Sequence, residues 1–339
     1  MATPPSPSLH TLTLYGVLSE SKKILNAHSR HFLALSVLFL LPLSFSLIIY
    51  STLHSLLNHP PHPHLSLSYT FPHLTFPPSH ALFTILYALF ALFMSLFAFA
   101  SIGYSTFHGF YGRPVKIGAS VGSILSSFLP LCGTLFVGQV VVGVVGLVFM
   151  FFGGLVYKKL ELFGVGMSTL VVGYDISTWV CVFVVFMVGL FVIYLHVNWV
   201  LAPVVVVVES KWGYEALRRS AYLVRGMRGV ALSMMGLFGL SIWFVVWAFS
   251  EFSRFGSVVN VGGVLGFDSV VFICETVINS GAVTLLMLEG MAGIVVLYMY
   301  CKAVHGELAL GIAEEFDSEY ISLPFDDEKV PHVVSVVYG

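Results

Sequence analysis

Few residues of this chain have side chains suited to chemistry, and most of those gather in two sets. The first is basic. Lys211, Arg218, Arg219, Arg225 and Arg228 follow Glu209 within twenty positions and make up five of the fifteen lysines and arginines. The spacing places Arg218, Tyr222 and Arg225 on one helical face, with Leu217, Ala221 and Val224 on the adjoining apolar one. Guanidinium groups match phosphate oxygens in a forked geometry. Lys211, Arg218, Arg219 and Arg225 are therefore candidate contacts for lipid headgroups, each adding about 1 kcal/mol beside an anionic membrane. The same residues also read as an ordinary topology anchor. Glu215 stands where it can pair with Arg218 or Arg219.

The second set is Glu289, His196 and Asn198, polar groups inside apolar runs. At membrane depth such groups either hydrogen-bond within a helix bundle or line a path for a solute. A transporter or channel built on these three is the alternative functional reading.

Elsewhere the chemistry is sparse. His59–Ser79 holds six prolines and four histidines, and it reads as an extended polyproline-like loop. Without a cysteine or carboxylate to complete a ligand set, it is expected to bind no metal. Cys132, Cys181, Cys274 and Cys301 lie far apart, so they are expected to act as small buried hydrophobes. Cys301, beside Lys302, is in addition a palmitoylation candidate. His305-Gly306-Glu307 is too short and isolated to argue a metal site. No protease, hydrolase, P-loop or dinucleotide motif occurs. The expectation is a protein that is not an enzyme and takes no cofactor.

The elements that must position these residues are membrane helices. The 339-residue chain is 58% hydrophobic and only 9% charged, where soluble domains carry roughly 25% charged residues. No single soluble core could hide that apolar surface. A net charge of −2 also leaves no basic footprint for nucleic acid. The fold class expected is all-α: a polytopic membrane bundle of six transmembrane helices with interfacial amphipathic helices. The spans fall near residues 32–57, 81–102, 131–157, 177–208, 230–250 and 283–304, with kinks at Pro42 and Pro203. Val258–Ile278 is semi-apolar, but Asp268 and Glu275 argue for an interfacial or re-entrant piece rather than a crossing.

Three regions result: residues 1–30 as tail and interfacial helix, 31–305 as membrane domain, and 306–339 as an acidic, solvated tail. The first apolar run is too long for a cleavable signal peptide. In the amphipathic segment 12–30, Leu14, Val17, Leu18, Ser21 and Leu25 share a face. With six spans, twelve basic residues fall on the side of the termini and three on the other. The positive-inside rule then places both termini in the cytosol. A unit of amphipathic segment followed by two spans recurs near Val17, Val115 and Glu215, which suggests a threefold repeat of helical hairpins.

Two stretches carry a resemblance. Gly16-Val-Leu-Ser-Glu-Ser-Lys-Lys-Ile-Leu25 leads into the first span, and Ala202–Glu209 with Tyr214–Gly226 follows the fourth. Together they resemble a plant family of uncharacterised multi-pass membrane proteins. More distantly they are similar to the six-span membrane domain beside bacterial glycerophosphodiester phosphodiesterases. The resemblance implies the six-span architecture, while the phosphodiesterase chemistry belongs to a separate soluble domain. The functional expectation is a non-enzymatic protein of the endomembrane system or plasma membrane, with membrane lipids as partners and a role in membrane organisation, trafficking or lipid association.

Overall fold

A computed structural model describes residues 13–58, 78–113, 115–162, 176–259 and 270–308. The N-terminal tail, the His/Pro loop over 59–77 and the acidic tail from 309 lie outside the described residues. The described residues are mostly helical: α1 (Leu14–Ala27), α2 (Ser29–Leu35), α3 (Leu41–Asn58), α4 (Pro78–Phe110), α5 (Ile117–Leu162), α6 (Ile176–Trp199), α7 (Ala202–Glu209), α8 (Tyr214–Leu223), α9 (Arg228–Val259) and α10 (Val270–Val304). Among the described residues, six segments are long and apolar enough to cross a membrane, which gives the chain the architecture of an integral membrane protein.

Local sequence explains the breaks. Pro42 has no N–H to bond the carbonyl four residues back. The chain answers with a π turn over Ser36–Leu40, in which the Leu41 N–H bonds the Ser36 carbonyl. Pro203 sits in the first turn of α7, where a missing N–H costs nothing. The expected fourth span is thus divided by a turn at Val200-Leu201. Ser210, at φ 54°, ends α7, and Gly213 starts α8 at φ 64° and ψ −136°, a conformation open only to glycine.

Two elements differ from the sequence reading. Helix α10 begins at Val270, so residues 270–278 are the first turns of the sixth span and not a separate interfacial piece. Asn279 and Thr276 bond carbonyls of their own helix there, so the helix satisfies its polar side chains as it runs. The amphipathic stretch before the third span is likewise no separate helix. It runs on through Pro130 within α5, whose 46 residues span about 69 Å. The first and third hairpins keep free-standing entry helices, α1 and α8, and the second does not.

Burial is one-sided. No described residue of 81–95 in α4, 135–159 in α5 or 180–196 in α6 is buried. The core instead gathers residues 96–102 of α4, the start of α5, Val197–Val206, α8 and Val295–Cys301 of α10. Val17, Ser21, Ile24 and Leu25 of α1 join it, so the apolar face of this amphipathic helix packs on protein. One end of the bundle is packed like a soluble domain, and the other offers apolar side chains to lipid. Cys301 is fully buried in the packed end, which removes it as an acylation site. Cys181 and Cys274 are exposed on helix faces, contrary to the expected burial.

Candidate functional site: the α8 face

Helix α8 is short and strongly two-sided. Ala216, Leu217, Ser220 and Leu223 are buried, with Val224 beside them. The Ser220 hydroxyl donates to the Asn198 carbonyl at 2.8 Å, and the Gly213 N–H donates to Thr134 Oγ1 at 2.8 Å. These bonds fix both ends of α8 to α5 and α6. Its apolar face is consumed by protein and is not free to enter a membrane.

Arg219 holds the outer edge. Its Nε donates to Glu209 Oε2 at 3.0 Å and Oε1 at 3.3 Å, while Nη2 reaches Oε1 at 3.2 Å. Nη1 donates to Glu307 Oε1 at 3.0 Å, and Nη2 also contacts the second Glu307 oxygen. The Tyr298 hydroxyl donates to Glu209 Oε1 at 2.8 Å. One guanidinium thus ties the end of α7 to Glu307, three residues past α10. Hydrogen bonds from Arg219 hold the Glu307 carboxyl below the usual carboxylate range. Those to Glu307 and Glu209 in turn push the Arg219 guanidinium up. Both shifts follow from favouring the charged forms.

The four basic candidates therefore separate. Arg219 is committed to the Glu209 and Glu307 carboxylates rather than to Glu215. Lys211 lies 3.4 Å from Glu209. Arg218 and Arg225 are exposed and have no ion pair among the described residues. Exposed Trp212, Tyr214 and Tyr222 stand among them. Glu307, passed over in the sequence, carries the network. Its partner is 88 residues away, a separation no local spacing rule can see.

Glu289, His196 and Asn198 each bond to other groups. Glu289 lies on α10 with its carboxylate 3.7 Å from Lys22 of α1. With α10 starting at Val270, it stands 19 residues into the helix, about 28 Å along it, rather than near its start. His196 is exposed and bonds the Val192 carbonyl of its own helix. Asn198 is buried, donates to the Tyr194 carbonyl, and leaves Oδ1 without a donor. No hydrogen bond or ion pair joins the three to one another among the described residues.

No curated protein and no solved structure matches the chain. The family described as "Domain of unknown function (DUF8558)" matches residues 74–315, which take in everything from α4 through the α8 network and α10. By that match over most of its length, the chain belongs to the DUF8558 family.

Proposed function

We propose that this is a non-enzymatic integral membrane protein whose packed end lies on the cytosolic side and associates there with anionic phospholipid headgroups through Arg218 and Arg225. The observation that carries the reading is a division of labour on α8. Arg219 is taken by Glu209 and Glu307, while its neighbour Arg218 is exposed without a carboxylate partner among the described residues. The apolar face of α8 is buried in protein, so the attraction is electrostatic, about 1 kcal/mol per free cation. Exposed Trp212 and Tyr214 suit the headgroup layer, where amphipathic rings favour the boundary. Twelve of the fifteen basic residues on one side support cytosolic termini, and the endomembrane system or plasma membrane is the setting.

The test is native mass spectrometry of the purified protein after equilibration with equal phosphatidylcholine and phosphatidylserine. Retained lipid should be mainly phosphatidylserine in the wild type, and that preference should vanish in Arg218→Gln/Arg225→Gln. An unchanged preference in the double variant overturns the reading.

A further inference from the structure

The arginines of α8 face a second anion, one carried by the chain itself. Two contacts give the direction in which the chain leaves α10. The His305 ring lies 4.9 Å from the Tyr222 ring, and two residues later Glu307 is held by Arg219. The chain thus passes Tyr222 and then Arg219 as it leaves α10. Leu308, the last residue described there, is packed against the core. The next residues are strongly acidic. Beyond Leu308 the sequence has seven carboxylates, Glu314, Glu315, Asp317, Glu319, Asp326, Asp327 and Glu328, against the single lysine Lys329.

We propose that the acidic segment Glu314–Glu328 docks in cis on the exposed Tyr214–Arg218–Tyr222 face of α8 and the turn at Arg225 that follows it, and covers the arginines. Length permits it. The six residues from Leu308 to Glu314 reach up to about 20 Å extended, and the ten residues of α8 run only about 15 Å. Chemistry favours it as well. Phe316 and Tyr320 alternate with carboxylates in the tail, as aromatic rings alternate with guanidinium groups on α8. Aromatic–cation and carboxylate–guanidinium pairs can then form together. A tether this short holds the segment at millimolar effective concentration, so weak contacts suffice. Docking stands on this geometry alone. Its consequence, that the tail competes with anionic lipid, rests on the lipid reading above.

The test places the photo-crosslinking residue benzoylphenylalanine at Tyr214 in the full-length protein, in nanodiscs of phosphatidylcholine only, and maps adducts by mass spectrometry. Cross-links to residues 314–328 are expected, and most should be lost in high salt. They should also be lost when the seven tail carboxylates are changed to the corresponding amides, a variant that leaves the α8 network intact. Cross-links that go elsewhere, or that persist in the amide variant, overturn the proposal. Phosphatidylserine retention read in the same amide variant separates the two ideas. A rise in retention supports competition by the tail. Tail cross-links with no phosphatidylserine preference in any variant leave docking in place and remove the lipid reading. A phosphatidylserine preference without tail cross-links removes docking alone.

Discussion

Arg219 and Glu307, 88 positions apart, form the clasp that holds the end of α10 to α8, with Nη1 donating to Oε1 at 3.0 Å. The same guanidinium binds Glu209, and the Arg219 side chain is only 21% exposed. Removing the cation would leave two carboxylates close together without their shared partner. Such a loss in a half-buried site costs about 2–4 kcal/mol. Arg219→Gln should therefore lower the melting temperature of the detergent-solubilised protein by several degrees. Arg219→Lys should recover little of it, because a single ammonium cannot span both acids in a fork. A melting curve unchanged in either variant would mean the clasp holds nothing.

Acid should open the same clasp. Hydrogen bonds from Arg219 depress the folded-state pKa of Glu307. A depressed carboxyl contributes stability that is fully present above its unfolded value, near 4.5. That contribution is lost as pH falls through the lower folded value. Glu307→Gln removes it at every pH. The melting temperature of wild type should exceed that of the variant at neutral pH, and the two curves should converge once the pH falls below the depressed folded-state value. A constant gap down to strong acid would place the contribution elsewhere.

Helix contacts in the lipid-facing half offer a matched pair of tests. A Cβ on Gly153 would stand 2.7 Å from Val184 Cγ2, with Cγ1 and Cβ of Val184 within 3.6 Å. Valine is stiff at χ1 in a helix, so relief requires α5 and α6 to separate. Gly154, the next residue, meets nothing within 4 Å. Gly153→Ala should cost about 1–3 kcal/mol, and Gly154→Ala should leave the melting temperature equal or higher. Equal effects from the two alanines would mean that α5 and α6 do not pack at Gly153.

Hydropathy made the six helices legible, because a chain this poor in charge can bury its backbone only as spanning helices. The amphipathic face of α1 was legible too, through Val17, Ser21 and Leu25 at helical spacing. What that face packs on was not, since a helix that buries one stripe gives no sign of whether lipid or protein covers it. The start of α10 was hidden by Asp268 and Glu275. A single carboxylate within a helix near a membrane boundary costs less than a count of charges implies. At the candidate site, the cationic face of α8 could be read from i, i+4 spacing. Which arginine was free could not, because that depends on Glu209 and Glu307 meeting Arg219 from two other elements. Glu289 was misplaced in depth for the same reason that α10 was begun too late.

Glu289 stands well inside α10. Its carboxylate lies 3.7 Å from Lys22 Nζ, and the lysine side chain is 59% exposed. An ion pair so open to solvent contributes less than about 1 kcal/mol. His196 bonds its own helix and Asn198 is held beside α8 through its carbonyl, and no hydrogen bond or ion pair joins either to Glu289 among the described residues. Glu289→Gln should therefore shift the melting temperature by no more than a degree or two, and reconstituted vesicles carrying it should leak small ions at the wild-type rate. A solute path through Glu289 would require the opposite, a flux in wild-type vesicles that the glutamine abolishes. Such a flux would reopen the transporter reading and would mean that α10 and α6 approach one another in a second arrangement.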